Sequence, residues 1–464
     1  MALPRIDIGL DRDERLPAVL LLIFFVVLCL AGGASREDVI AQSVIRGCAA
    51  LLMAVQVLFG RLPDLRRYKA CAWLLGAMIG VVLMQLVPLP PAIWTVLPGR
   101  ELIASSPGGS TMWRPINMVP DAGWNALFSL LVPLCVLLLL SSLRDETVRQ
   151  VRYVLAAVIA YSAVFALLQA AGSAPDNGLI NGSTDQYAGI FANRNHQALF
   201  LAIGIGLAWS WGLDRGGSRR NWQLWLAICV ISLFGISILV TGSRSGALLG
   251  ALAFVAAPAL ALSNRNKPAR GAFSSPFFWT AISIGLVALI VAVSGYFGRS
   301  QSLDRAVNLS ATDDFRLRSL TTVWQIAKTY FPFGAGMGSF DAVFRIAEPF
   351  ALLEPTYFNH AHDDLLEAVI ETGVSGVAIM MCAVAWLGRS GVIAFSHSGA
   401  SARLGRSAAL TIILVILASI SDYPARTPMI MATVMVAGCW LSDATRKARI
   451  AASSGALPSA AKPL

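Results

Sequence analysis

Apolar stretches near 20 residues, long enough to cross about 30 Å of hydrocarbon, recur from one end of the chain to the other. In order they cover 16–34, 39–60, 70–90, 123–143, 151–172 and 196–213, then 222–240, 245–263, 275–297, 364–388, 405–420 and 428–443. Several are bounded by Pro, Gly or charge, as expected where a helix leaves the bilayer. The pattern predicts an all-α membrane protein, a polytopic bundle of about 12 transmembrane helices, of which the eleventh is the shortest. Helices 1 to 9 with short loops occupy 1–297, a long and partly helical loop 298–363, and helices 10 to 12 occupy 364–444; 445–464 reads as a disordered tail.

Composition agrees with that pattern. Of 464 residues 56% are hydrophobic and 13% charged, with a mean hydropathy of +0.67, beyond what a soluble domain carries. A net charge of +10 would suit a nucleic-acid partner if it were gathered on one surface, but it is spread over alternate loops. Arg61, Arg66, Arg67 and Lys69 form one group, Arg144, Arg149 and Arg152 the next, then Arg215, Arg219 and Arg220. Arg265, Lys267 and Arg270, then Arg389, Arg403 and Arg406, and finally Arg446, Lys447 and Arg449 continue the series. The positive-inside rule makes these loops and both termini cytoplasmic, and no nucleic acid is implied. The first span, although followed by the small residues Ala31 to Ala34, reads as an uncleaved anchor. All seven cysteines fall within predicted spans without metal-ligand spacing, so neither disulfides nor zinc are supported.

The other side then receives 91–122, 173–195 and 298–363. The first, rich in Pro and Gly, reads as irregular structure anchored by Trp94 and Trp113, with no recognisable site. The longest exceeds a plain connector. Leu320, Val323, Trp324 and Ala327 follow helical spacing within it, predicting an amphipathic interfacial helix over 316–330. The glycine-rich run from Phe331 to Gly338 reads as a helix-ending turn ahead of a phosphate loop.

Ionisable side chains at membrane helices are costly, and three polar clusters call for explanation. Ala192-Asn-Arg-Asn-His-Gln197 precedes the sixth span; it is either an interfacial helix start, with Asn193 or Asn195 capping and Arg194 at lipid phosphates, or part of a site. Thr241-Gly-Ser-Arg-Ser-Gly246 is a hinge that sets Arg244 at a helix N-terminus, where backbone N–H groups and a guanidinium fork suit a diphosphate; a headgroup anchor is the alternative. Asn359-His-Ala-His-Asp-Asp364 leads into Glu367 and Glu371. Asp363, Glu367 and Glu371 recur every four residues, which sets carboxylates on one helix face, and His362 at its mouth suits general-base work. His360, His362 and Asp363 also allow a metal reading, but the spacing is weak and no metal or other cofactor is assigned. Two cations and a base at the lipid–water boundary suit group transfer from a lipid-linked diphosphate to a hydroxyl.

With N-R-N at 193–195, S-R-S-G at 243–246, H-D-D-L-L-E at 362–367, E-T-G at 371–373 and the run from Trp324 to Phe340, the chain resembles the O-antigen ligase and polysaccharide polymerase superfamily of bacterial envelope enzymes. The likeness covers roughly 190–380. It implies a GT-C-like glycosyltransferase in the bacterial inner membrane that takes glycan from undecaprenyl diphosphate at the periplasmic face. By this resemblance Arg194 and Arg244 would hold the diphosphate and His362 would act on the acceptor hydroxyl; Arg316, which opens the amphipathic helix, is a further candidate cation with an exposed loop arginine as the alternative, and Asn193, Asn195, Asp363, Asp364, Glu367 and Glu371 are supporting polar groups. Lipid A-core or a growing polysaccharide is the implied acceptor, and membrane lipids surround the protein. Asp363 departs from the asparagine common after the family histidine, and Asp422 and Arg426 read as a mutual pair. A ligase and a repeat-unit polymerase share this motif order, and a lipid or glycan flippase is the rival from another class.

Overall fold

The computed structural model describes residues 12–36, 39–173, 187–213, 220–262, 311–353 and 360–455. The predicted ninth span, Asn359 and the end of the predicted tail lie outside the described residues. The described helices are α1 (Arg12–Ala31), α2 (Ile40–Phe59), α3 (Lys69–Leu86), α4 (Pro120–Ser129), α5 (Leu131–Ser141), α6 (Asp145–Ala170) and α7 (Arg194–Gly212). They continue with α8 (Arg220–Val240), α9 (Arg244–Leu262), α10 (Ala311–Tyr330), α11 (Phe340–Ala347), α12 (Asp364–Ser396), α13 (Ala400–Ala418) and α14 (Pro428–Gly455). The sheet among these residues is one antiparallel pair, β1 (Pro88–Leu89) with β2 (Arg114–Pro115). The chain is an all-α membrane protein.

Nine helical stretches among the described residues are long and apolar enough to cross a membrane: α1, α2, α3, α4 with α5, α6, α8, α12, α13 and α14. The predicted span 123–143 is two helices. Pro133 has no N–H for the carbonyl of Ser129, where α4 ends, and α5 restarts after Leu130. The predicted spans 196–213 and 245–263 are α7 and α9, which fall outside those nine. The reason for α7 is its position. It packs against α6, α8, α9 and α13 and is buried almost throughout from His196 to Gly212, so protein rather than lipid surrounds it and a strongly apolar surface is not required. Gly246 lets α9 approach closely, because a Cβ there would lie 2.1 Å from that of Ala198.

One end of the bundle gathers the termini that matter for the site. Ala192 N–H donates to Gly33 O and Met429 N–H to Gly32 O, both at 3.0 Å, while Asp364 N–H donates to Ser419 O at 2.9 Å. The ends of α1 and α13 thereby meet the starts of α7, α12 and α14. The far end is held by ions: Arg67 and Arg446 both pair with Asp443, and Arg67, Arg446 and Lys447 with Asp145.

The segments outside the spans differ from their sequence reading. The inward face of α10 is Val323, Ile326, Ala327 and Tyr330, packed with Phe340, Phe344 and Ile370, while Leu320 and Trp324 point outward; the helix rests on protein rather than lying only on an interface. Trp94 is buried with its indole N–H on Met112 O at 2.8 Å, whereas Trp113 is exposed. The run from Phe331 to Gly338 ends α10, as expected, and does more than turn the chain. It is a wedge driven into α12, with Ala335 N–H on Ile370 O, Gly336 N–H on Glu371 O and Val374 N–H on Pro332 O, at 2.8 to 2.9 Å. Arg100, nearly fully buried, locks it by donating to Gly334 O at 2.8 Å and Ile116 O at 2.6 Å. At the wedge α12 breaks its helical geometry at Gly373, with φ 59° and ψ −141°.

That break accounts for the length of α12. At 33 residues it would extend about 50 Å as a straight helix, well beyond the hydrocarbon thickness. The kink separates an N-terminal piece bearing the carboxylates from the membrane-crossing remainder. A Cβ at Gly373 would sit 2.0 Å from Pro332 O, whereas one at Gly80 in α3 would meet nothing within 4 Å. Gly373→Ala should therefore cost more than about 1 kcal/mol, because both the backbone conformation and the close approach are lost. Gly80→Ala should leave the thermal unfolding temperature of the purified protein unchanged or slightly raised. Equal behaviour of the two variants would show that the wedge does not constrain the helix.

Candidate functional site

The site begins with two helix caps. Asn193 caps α7, its Oδ1 accepting from Asn195 N–H at 2.8 Å, and Ser243 caps α9, its Oγ accepting from Gly246 N–H at 2.9 Å. Ser243 Oγ also donates to Asn195 Oδ1 at 2.7 Å, so the starts of α7 and α9 are joined. Arg194, half-buried, opens α7, and Arg244, exposed, opens α9. Two guanidinium-bearing residues thus stand at two adjoining N-termini, where backbone N–H groups already favour an anion. Arg316 is in α10, but its side chain lies outside the described residues.

Both amides converge on Asp422, in the turn between α13 and α14. Asn195 Nδ2 donates to its Oδ2 at 2.7 Å and Asn193 Nδ2 at 3.1 Å. His362 Nδ1 is 3.5 Å from the other oxygen, and buried His196 presents Nε2 at 3.8 Å, beyond hydrogen-bond length. Burial alone would lift the Asp422 carboxyl, but the neighbouring His362 and His196 imidazoles and the Asn195 amide outweigh it and hold the group below the usual carboxylate range. Asp422 therefore joins residues of the first and third polar clusters directly and reaches the second through Asn195 and Ser243. His362 is also the one non-glycine among the described residues with positive φ, at 52°, a conformation that persists only when its surroundings enforce it.

Arg426 is the second organiser. Its Nη2 lies 3.0 Å from Glu367 Oε1 and 2.9 Å from Glu371 Oε2, and its Nε lies 3.3 Å from Asp364 Oδ1. Burial on its own would weaken the guanidinium's hold on its proton, but the three carboxylates more than reverse that. Each acid has further donors. Glu367 takes Ala361 N–H at 2.8 Å, Glu371 takes Gly338 N–H from the wedge at 2.9 Å, and Asp364 takes Ser419 Oγ–H at 3.0 Å and Ala425 N–H at 3.1 Å. His360 Nδ1 lies 2.9 Å from Glu367 Oε1.

The expected pairing of Asp422 with Arg426 is thus replaced by two separate networks, one around each. Asp363 is also placed differently from the four-residue spacing. It is the cap of α12, accepting from Leu365 and Leu366 N–H at 3.0 Å, and Asp364 joins Glu367 and Glu371 instead. A helix turns 3.6 residues per turn, so positions i, i+3 and i+7 fit one stripe as well as every fourth residue does. Tyr423, absent from the sequence candidates, unites the networks: its ring centre is 4.4 Å from that of His360, 4.9 Å from His362 and 5.4 Å from His196. The available signal was a short turn, Asp422 to Arg426, carrying both charges and an aromatic on the arginine-poor side.

Residues 227–381 match a family model described as O-antigen ligase. The match spans about a third of the chain and supports its likeness to the O-antigen ligase and polysaccharide polymerase superfamily. No curated protein matches the chain. The O-antigen ligase match takes in Ser243, Arg244 and His360 to Glu371, while Asn193 to Asn195 and the Asp422 to Arg426 turn come from flanking segments. The matched stretch is joined in three dimensions by residues on both sides of it.

A carboxyl held below its ordinary pKa, about 3.9, stabilises the folded state at all higher pH and loses that contribution as pH falls through the lowered value. Asp422→Asn should lower stability at pH 7 by about 1–3 kcal/mol through the hydrogen bonds it weakens. Thermal unfolding followed from pH 7 down to 3 should show the gap between wild type and variant narrowing. A gap constant across that range would mean that the ionised form of Asp422 is not what the network recognises.

Proposed function

We propose that the protein is a membrane glycosyltransferase of the ligase type, moving glycan from undecaprenyl diphosphate to an acceptor sugar hydroxyl at the periplasmic face of the bacterial inner membrane. The observation that carries this reading is the junction at Asp422, which ties His362 to the two helix starts bearing Arg194 and Arg244. Arg194 and Arg244, with the N–H groups of their helix starts, bind the donor diphosphate; Arg316 is a third candidate cation. His362, oriented through Nδ1 by Asp422, takes the acceptor's proton. The acceptor oxygen then bonds to the anomeric carbon as the bond from that carbon to the diphosphate oxygen breaks. The electron pair leaves with the diphosphate, whose growing charge the arginines stabilise. Asn193 and Asn195 fix Asp422, while Asp364, Glu367 and Glu371 hold the turn that carries it.

The alternation of basic loops supports the periplasmic orientation of this end, with both termini cytoplasmic. A ligase delivers polymer to lipid A-core; a polymerase joins repeat units onto a growing chain. The glycan profile of a deletion strain separates them: intact lipid-linked ladders without surface-attached polymer indicate the ligase, and single-repeat products the polymerase. For the chemistry itself, purified protein is supplied with a lipid-diphosphate glycan and candidate acceptors. His362→Ala and Arg244→Ala should each reduce turnover at least about 100-fold, the scale of a lost proton acceptor or charge stabiliser, with the folded yield retained. Undiminished transfer by both variants would remove the mechanism.

A further inference from the structure

A cavity of about 660 Å³ is lined by His360 but not by Asp422 or its partners Asn193, Asn195 and His362, and its walls differ in character. On one side α12 and the turn before α14 present His360, Asp364, Glu367, Glu371 and Arg426; on the facing side α2 and α4 present Gln42, Arg46 and Asn125. Arg46, in the second turn of α2, donates there to Gln42 Oε1 at 3.2 Å and to Asn125 Oδ1. Further along the helices the lining turns apolar, with Met380 from α12 and Met431, Val434 and Met435 from α14. The space therefore has a polar head and an apolar slot, and its volume suits a ligand headgroup rather than a polymer.

We propose that this cavity is the acceptor chamber, that it takes the sugar headgroup of a saccharide carried on a lipid chain, and that His360 is the residue that binds that sugar's hydroxyls. The proposal rests on the transferase reading above and assigns its second substrate a place. Neither Arg194 nor Arg244 lines the cavity. The lining sets Asp341, Asp364, Glu367 and Glu371 against Arg36, Arg46, Arg345 and Arg426, so its charges balance and it offers paired donors and acceptors to neutral hydroxyls rather than the cationic excess that a diphosphate requires. Because His360 Nδ1 is engaged by Glu367, Nε2 is the nitrogen that meets a hydroxyl. Glu367 is itself fully buried and clamped by Arg426 and Ala361 N–H, so the imidazole is held in one orientation. His360 and His362 pack on the same Tyr423 ring. A sugar bound by the first histidine is therefore brought beside the second. The methionine-lined slot receives the first part of the chain, since flexible thioethers fit an apolar tail of varied shape.

The test uses the full chain in nanodiscs prepared without glycoside detergents, with three amphiphiles titrated calorimetrically: dodecyl maltoside, dodecylphosphocholine and farnesyl diphosphate. Dodecyl maltoside should bind wild type at least about tenfold tighter than dodecylphosphocholine, and His360→Ala should abolish that preference, the effect expected when a buried hydroxyl partner is removed. Met435→Trp, which fills the slot, should weaken dodecyl maltoside binding similarly, while His360→Gln should restore part of it. Farnesyl diphosphate should bind equally well to wild type and all three variants. Size-exclusion profiles identify any variant that fails to fold, and in that case the remaining two decide.

In turnover assays His360→Ala should raise the acceptor KM at least about tenfold with kcat and the donor KM little changed, the signature of lost binding rather than lost chemistry. Equal binding of dodecylphosphocholine and dodecyl maltoside would make the cavity a plain lipid slot. Farnesyl diphosphate binding that falls with His360→Ala or Met435→Trp would make it a donor site. Either result, or no binding of dodecyl maltoside to wild type, overturns the proposal. Because binding is read without turnover, a wild-type protein that binds dodecyl maltoside as expected but transfers nothing would sink the transferase reading and leave the chamber standing.

Discussion

Much of the site end depends on one half-buried guanidinium. Arg426 stands among Asp364, Glu367 and Glu371, which lie on the first two turns of α12. Three carboxylates gathered in a membrane protein without a cation would repel one another and face a large desolvation cost. With the guanidinium between them they become a clamp, whose fork geometry fixes the turn between α13 and α14 against α12. Each acid passes that constraint onward: Glu367 to His360 and the backbone of Ala361, Glu371 to the wedge at Gly338, and Asp364 to Ser419 at the end of α13.

The position of Asp422 follows from that clamp. Four residues before Arg426 in the same turn, it is delivered to the gap between α7 and α12, where it collects Asn193, Asn195 and His362. Two networks of different composition result, separated by Tyr423. One is built from amides, imidazoles and a single acid beside two helix N-termini; the other is an acid-rich clamp facing a cavity. The first stands beside two helix N-termini that begin with arginine, the cavity faced by the second balances arginines against carboxylates, and that difference is the physical basis for giving an anionic donor and a hydroxyl-bearing acceptor different places.

The wedge supplies rigidity of another kind. Its backbone hydrogen bonds join α12 where the helix breaks at Gly373, and the glycines at 334, 336 and 338 adopt positive φ so that backbone can meet backbone. Arg100 holds the wedge by donating to carbonyl oxygens and by lying over the Tyr330 ring, so a charge in a segment without a recognisable motif has a structural explanation. The fixed N-terminal piece of α12 then presents its carboxylates at the bundle end instead of continuing the membrane crossing.

Hydropathy period and loop charge are local properties, so the chain alone determined that this is an all-α membrane protein, roughly where its helices run, and which three polar clusters a membrane helix would not carry without cause. Local too were the caps: an asparagine before α7 and a serine before α9 have their partners within three residues. The burial of α7, the break of α4 and α5 around Pro133 and the docking of α10 on protein needed neighbours to be known. The same holds for the choice of Asp364 over Asp363 and for the separate partners of Asp422 and Arg426. Adjacent charges in sequence invite pairing, but a turn between two helices directs successive side chains to different elements. Only the packing of α7, α9 and α12 around that turn decided where each charge would go.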